Sequence, residues 1–479
     1  MTTQTPPQAA DAPLMLSVSG ARGIVGRTMT PAVAADFAAA YGSHVKDLTG
    51  KADPLFCLGR DSRPSGQMLT AAVVAGLTAA GCRVVELGIV TTPTVGVMIG
   101  KHHADAGMVV TASHNPIIWN GLKCLDSNGL APPPEIAQQI IERFKARDIG
   151  YAAVEDLHPA REDATGHETH IDRVLANIDP APIRAAGFKV VLDSVNGAGC
   201  VAGRMLLEAL GCEVIHLNGE PTGIFAHTPE PTAENLTDLC RAVKDARAAC
   251  GFAQDPDGDR LAIVDETGAY IGEEYTLVLA AKRLLDQHGP AILAANLSTS
   301  RMIDDLAAQY PGSKVLRTAV GEANVAAAMQ QAGALVGGEG NGGVIYPPVC
   351  WIRDSLTAMA LTLSLLADDP RNESLSKIVG GVPRYSMIKK KLDLTNIGGR
   401  DAVPGILERL STPKKASGSF FGEEVEVNTV DGVRIDFADG WVHVRPSNTE
   451  PILRLIAEAQ TEKRAAELID QVAEIAGIG

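Results

Sequence analysis

The chain has 479 residues, too many for one compact core, and predicts about three domains. With 42 Lys and Arg against 57 Asp and Glu its formal net charge is −15, which leaves no broad basic surface for a nucleic-acid backbone. A hydrophobic share of 46% excludes a disordered chain, and no apolar run reaches the ~18 residues that cross a bilayer.

Residues 1–13 are polar and rich in Pro and Ala, without the basic flank and apolar run of a signal peptide, and are expected to be a loose tail. Three stretches then repeat one order: a short β-branched strand, a Gly-containing turn and an Ala/Leu-rich helix. The first runs from Leu55-Phe-Cys-Leu-Gly through a helix near Ser65–Ala80 to Arg83-Val-Val-Glu-Leu and Gly107-Met-Val-Val-Thr. The second runs from Phe188-Lys-Val-Val-Leu-Asp through a helix ending at Leu210 to Cys212-Glu-Val-Ile-His-Leu. The third runs from Ala291-Ile-Leu-Ala-Ala-Asn through a helix near Thr299–Gln309 to Lys314-Val-Leu-Arg-Thr. Continuous apolar strands between helices predict parallel sheets buried on both faces. After Pro383 the strands alternate apolar and polar, as in Gly432-Val-Arg-Ile-Asp-Phe, which predicts a half-exposed antiparallel sheet. An amphipathic closing helix is expected over Leu455–Ala476. Linkers fit Asp148–Gly166, Gly268–Gly272 and Gly380–Pro383. The eight cysteines stand singly, without a Cys-x-x-Cys pair, and read as reduced, buried thiols of a cytoplasmic protein.

Four local motifs carry chemistry. Thr111-Ala-Ser-His-Asn-Pro116, with Lys123 soon after, follows the strand at Met108, so Ser113 lies at a strand's carboxyl end, where α/β sheets bind ligands. A serine there acts as nucleophile or phosphate carrier when a base and a charge neutraliser are near, and His114 and Lys123 are the local candidates. In Gln254-Asp-Pro-Asp-Gly-Asp-Arg260, alternation puts Asp255, Asp257 and Asp259 on one side of a loop, as three oxygen ligands for a hard divalent cation. A calcium-hand reading fails, because Arg260 occupies the sixth position that needs Gly and Leu261-Ala-Ile-Val reads as a strand. Gly337-Gly-Glu-Gly-Asn-Gly-Gly343 offers Glu339 and Asn341 to sugar hydroxyls, although a plain Gly-rich hairpin would look alike. Arg445-Pro-Ser-Asn-Thr-Glu-Pro451, with Arg454 beyond, suits an anion-binding loop.

In this order and at these spacings the four motifs resemble the α-D-phosphohexomutases, and the resemblance runs from about Ser17 to the C-terminus. It implies three related α/β domains plus a smaller α+β C-terminal domain around a central cleft, with expected bounds 14–160, 161–268, 269–380 and 381–479. It implies that Ser113 is the phosphoserine and that Asp255, Asp257 and Asp259 hold Mg²⁺ together with it. Arg22, His114 and Lys123 then match positions near the transferring phosphoryl, while Arg260 follows the metal loop. Glu339 and Asn341 match the sugar loop. Arg445, Ser447, Asn448, Thr449 and Arg454 match the clamp on the phosphate that stays put. One departure is visible: many bacterial relatives end the sugar loop in Ser-Gly-His, whereas Asn341-Gly342-Gly343 stands here.

The implied reaction interconverts a hexose 6-phosphate and a hexose 1-phosphate through a hexose 1,6-bisphosphate that turns end for end. The variant sugar loop points to glucosamine phosphate, with mannose or glucose phosphate as the alternative. A phosphoserine-type sugar phosphatase and a non-catalytic sugar-phosphate binder are the remaining readings. Expected partners are a sugar phosphate, with neither nucleic acid nor membrane, in a monomer or homodimer.

Overall fold

The computed structural model describes residues 13–369, 371, 373–411, 419–420, 423–447 and 452–478. The expected tail, Pro13 excepted, therefore lies outside the described residues, as do Asn448 and Thr449 of the phosphate clamp. Two compact units divide the chain: residues up to Gly289 with Leu335–Val379, and Pro290–Ala334 with Gly380 onward.

In the first unit a seven-stranded sheet is built from β1 (Met15–Ser17), β2 (Gly20–Ile24), β3 (Leu55–Arg60), β4 (Arg83–Ile89), β5 (Ala106–Val110), β6 (Trp119–Asp126) and β7 (Arg161–Glu162), in the order β1-β2-β6-β5-β3-β4-β7. Helices Pro31–Thr49, Gly66–Ala79 and Thr92–His102 cover it. Phe37 and Tyr41 of the first helix enter one core with Phe56, Leu58, Met108 and Val110, and the Tyr41 and Phe56 rings meet edge-on at 5.4 Å. The second sheet holds β8 (Lys189–Asp193), β9 (Glu213–Leu217), β10 (Cys250–Gln254) and β11 (Leu261–Asp265), in the order β11-β10-β8-β9.

These sheets are mixed rather than wholly parallel. β3, β4 and β5 run parallel, as do β8, β9 and β10, but β6 returns antiparallel to β5 and β11 returns antiparallel to β10. The reason is local. Residues 111–118 and 255–260 are turns too short for a crossover helix, and short connections force the next strand back on its neighbour. The stretch 148–166, expected as a linker, also supplies the edge strand β7, which pairs parallel with β4.

The third α/β region enters both units. β12 (Ile292–Asn296) and β13 (Lys314–Thr318) form a parallel pair in the second unit, while β14 (Val336–Glu339) and β15 (Gly343–Ile345) form an antiparallel hairpin in the first. The helix Ser355–Asp368 is buried on every side from Ser355 to Leu366, and it packs on the helix Glu274–His288. Such all-round burial marks an interior helix.

In the second unit, β16 (Ser386–Asp393) precedes a short hairpin of β17 (Ser419–Phe420) and β18 (Glu423–Glu424). β19 (Glu426–Asn428), β20 (Val433–Phe437), β21 (Gly440–Pro446) and β22 (Ile452–Ala459) follow. The antiparallel order is β16-β22-β21-β20-β19. The expected helix over Leu455–Ala476 is thus corrected. Its first part is the strand β22, and the helix runs Glu462–Ala476 with the Thr461 hydroxyl accepting from the Arg464 N–H. β22 lies inside the sheet between β16 and β21 with most of its residues buried, so the run Leu455-Ile-Ala lacks the alternation that distinguishes a strand from a helix. All eight cysteines are free thiols. No helix among the described residues is long and apolar enough to cross a membrane.

Candidate active site

Three of the motif loops occupy one structural position, the turn between a buried strand and the antiparallel strand that follows it: β5 to β6, β10 to β11 and β14 to β15. Ser113 lies three residues past β5 in the left-handed region, with φ 49°. A non-glycine residue there costs about 1–2 kcal/mol and persists only where its surroundings hold it. Arg63 does so. Its buried guanidinium donates from Nη2 to the carbonyls of Ser113 (2.7 Å) and Asn115 (2.6 Å) and from Nη1 to that of Pro116 (2.9 Å), while its Nε donates to Asp61 at 3.0 Å. The Ser113 Oγ then donates to Asp255 Oδ2 at 3.0 Å and lies 3.4 Å from His114 Nδ1. The charge of Arg260, burial and the charge of Arg22 together push His114 down to about 2, so its ring is neutral near pH 7.

The turn at Gly258 (φ 67°) brings one ligand atom from each of Asp255, Asp257 and Asp259 within 4.8 Å of the others, all three residues buried. Asp255 Oδ1 accepts the backbone N–H groups of Asp259 and Arg260. Lys123 Nζ reaches Asp257 Oδ2 at 2.6 Å and Asp259 Oδ2 at 3.3 Å, and Thr92 Oγ1 donates to Asp257 at 2.7 Å. Burial and the charges of Asp259 and Asp257 drive Asp255 well up. Burial acts upward on Asp259 too, but the charges of Arg353, Lys123 and Arg260 outweigh it and hold Asp259 down; Lys123 does the same for Asp257. Asp257 Oδ1 and Asp259 Oδ1 are buried and accept no hydrogen bond. Two idle carboxylate oxygens in an all-oxygen cluster are costly when bare and fit a hard divalent cation.

Arg22, on β2, is mostly buried beside this cluster. Burial lowers its pKa, and the charges of Asp257 and Asp259 oppose that shift. Arg260 Nε lies 3.8 Å from Asp259 Oδ1. The sugar-loop hairpin is tied to the metal loop by the Leu261 N–H, which donates to the Gly342 carbonyl at 2.9 Å. Glu339 is buried, and Asn341 Nδ2 donates to its Oε2 at 3.4 Å while Asn341 Oδ1 stays unbonded.

Within the second unit, Arg445 Nε donates to Asp431 Oδ2 at 3.0 Å, and the Ser447 N–H donates to the Ile452 carbonyl. Arg445 faces Arg454 directly across the β21–β22 ladder. Like charges set opposite in a ladder repel, and an anion between them relieves the repulsion.

The chain matches four family descriptions in order: phosphoglucomutase/phosphomannomutase α/β/α domain I over residues 15–149, domain II over 168–268, domain III over 272–385 and the C-terminal domain over 401–475. The chain belongs to the phosphoglucomutase/phosphomannomutase family. It is therefore a phosphohexomutase, an isomerase, with three α/β domains and a C-terminal domain. A relative named "Probable phosphoglucosamine mutase" from Methanopyrus kandleri is 37% identical over 95% of this chain and 96% of its own length. The "Phosphoglucomutase/phosphomannomutase" of Thermococcus kodakarensis is 35% identical over 94% and 96%. The crystal structure of a phosphoglucomutase/phosphomannomutase family protein from Burkholderia thailandensis is 27% identical, with a TM-score of 0.82 over 97% of this chain and 98% of that one.

Three residues of this candidate site escape sequence reasoning. Arg63 follows β3 in Gly59-Arg-Asp-Ser-Arg63, and charged residues straight after a buried strand were the available signal. Thr92 starts a helix whose cap is Thr91, a pattern that reads as capping alone. Arg353 donates to both Asp259 Oδ2 and Glu339 Oε2 at 2.6 Å, from a loop with no glycine or motif to mark it.

Proposed function

We propose that this phosphohexomutase moves a phosphoryl group between the 1- and 6-oxygens of glucosamine phosphate through a phosphoserine at Ser113. Phosphomannomutase or phosphoglucomutase activity is the second reading, favoured by the 35%-identical relative of that name. The observation that carries the proposal is the contact of the Ser113 hydroxyl with Asp255, one of three buried carboxylates two of which have idle oxygens.

Asp255, Asp257 and Asp259 would hold Mg²⁺, whose chemistry there is to neutralise charge on a phosphoryl borne by Ser113. Arg22, Lys123 and Arg260 add fixed positive charge around the same oxygens. Phosphoryl transfer needs little more than such positioning and charge neutralisation. In one half-reaction the bond from phosphorus to Ser113 Oγ breaks while one to a sugar hydroxyl oxygen forms. The proton given up by the sugar hydroxyl is matched by the one that Ser113 Oγ takes up, so the half-reaction is proton-neutral. The neutral His114 ring is in reach of Oγ, and a dianionic phosphate beside it opposes the cations that depress its basicity. Glu339 and Asn341 bind sugar hydroxyls. Arg445, Ser447, Asn448, Thr449 and Arg454 hold the phosphate that is not transferred, so that a hexose 1,6-bisphosphate serves as intermediate and activator in either orientation.

A coupled mutase assay with Mg²⁺ and a trace of bisphosphate, run across glucosamine, glucose and mannose phosphates, ranks the substrates; the glucosamine substrate is expected to give the highest kcat/KM. Isotope tracing by mass spectrometry is expected to find labelled phosphate on Ser113 during turnover. Turnover without label at that residue ends the proposal.

A further inference from the structure

The side chain that links the cation loop to the sugar loop is not part of either motif. Arg353 is buried, and its two terminal nitrogens separate the two tasks: Nη2 takes Asp259 Oδ2 and Nη1 takes Glu339 Oε2, each at 2.6 Å. Because Oδ2 of Asp259 is engaged this way, the oxygen left without a hydrogen bond is Oδ1. The same guanidinium fixes the orientation of Glu339. Its path explains Gly343, one of the two positions, with Asn341, at which the sugar loop departs from Ser-Gly-His. A Cβ on residue 343 would stand 2.1 Å from Arg353 Cδ and 2.8 Å from its Cγ, so the stem of the arginine fills the space a side chain there would need. The next two residues secure the same place. Asp354 caps the helix Ser355–Asp368 and pairs with the buried His170, and Ser355 Oγ donates to the Gly258 carbonyl of the metal turn at 2.7 Å. Arg353 is therefore delivered from a rigid helix start.

We propose that Arg353 is a positioning residue that orients the cation ligand Asp259 and the sugar-recognising Glu339 at once, in the room opened by Gly343. The inference deepens the proposed mutase reading and rests on it for the sugar half. The guanidinium reaches Asp259 and Glu339 from two different terminal nitrogens, a span that the single nitrogen of a lysine on the same stem does not cover.

Three variants test it: Arg353→Gln, Arg353→Lys and Gly343→Ala. Mg²⁺ binding is read by calorimetry on protein shown folded by circular dichroism, and KM and kcat are read separately. Removing an outer partner of a metal ligand lowers metal affinity by ~10- to 100-fold, which is the expected loss for Arg353→Gln, together with a raised KM. Arg353→Lys is expected to recover one of the two properties but not both. Gly343→Ala, which keeps every charge, is expected to reproduce the glutamine variant by displacing the arginine stem, and the two changes combined should not add. Folded Arg353→Gln with Mg²⁺ affinity and KM within about twofold of wild type, and only a lower melting point, overturns the proposal. Full additivity with Gly343→Ala does so too. If Arg353→Gln does not fold, Gly343→Ala alone decides on the same readouts. Absence of turnover in the wild type would defeat the mutase reading, while calorimetry with Mg²⁺ alone still judges the role of Arg353.

Discussion

Ser113 shows how a candidate nucleophile is held against its own backbone preference. Its left-handed φ is maintained by three carbonyl contacts from Arg63, whose charge is balanced by Asp61. Both side chains are fully buried. Removing one member of such a pair strands a charge away from water, at about 3–5 kcal/mol. Arg63→Met is accordingly expected to lower unfolding free energy by about that amount in urea titrations and to slow phosphorylation of Ser113. A loss under ~1 kcal/mol would mean that the loop holds its shape unaided. Lys123→Met removes the cation that bridges Asp257 and Asp259, and kcat is expected to fall by ~100-fold or more with the fold intact by circular dichroism. At this scale the sequence was informative for residues in unusual strings, such as Asp-Pro-Asp-Gly-Asp. It gave only a weak signal for Arg63 and none for Arg353, because their contacts reach partners 50 and 94 residues away.

Turns and helix starts form the next level. Gly258 turns the metal loop at positive φ, and a Cβ there would stand 2.6 Å from Thr91 Cγ2. Gly258→Ala therefore combines a left-handed penalty with a clash and is expected to cost about 1–3 kcal/mol and to weaken Mg²⁺ binding, both measurable by calorimetry. Asp354 gives a pH prediction. Burial acts to raise its pKa, but the charge and hydrogen bond of His170 and the bonds from Thr357 and the Leu356 N–H outweigh that and hold it below the ordinary carboxylate value. A depressed carboxylate contributes stability that is present above its unfolded pKa of ~3.9 and is lost as pH falls through the folded value. Denaturant titrations from about pH 6 to pH 3 should show wild type losing more stability than Asp354→Asn over the acid end. Parallel losses in the two proteins would remove Asp354 as the cause. Elements were legible where one face is wet, as in the C-terminal strands. They were misread where both faces of a strand are largely covered, as in β22, because the run Leu455-Ile-Ala breaks strict alternation.

For the molecule as a whole, three buried carboxylates with two idle oxygens predict ligand-linked stability. A cation that binds the folded chain alone stabilises it by about 2.7 kcal/mol at a concentration 100 times its Kd. Mg²⁺ is expected to raise the melting temperature in scanning calorimetry, a chelator to reverse it, and Asp257→Asn to abolish most of the shift. An unchanged melting temperature with Mg²⁺ in excess would count against a cation at this cluster.

The chain's own order of residues determined the class of fold, the acidic character and the short loops that bear the chemistry. These are local properties, written in neighbouring residues and in the periods of strand and helix. The mixed sheets follow from local turns too short for a crossover, whereas tertiary structure alone decided that Ser113 is held in the left-handed region. It also decided that one arginine outside the motifs, Arg353, joins Asp259 to Glu339. Such features arise from contacts between segments distant in the chain, where the geometry of burial and charge pairing leaves no mark on adjacent letters.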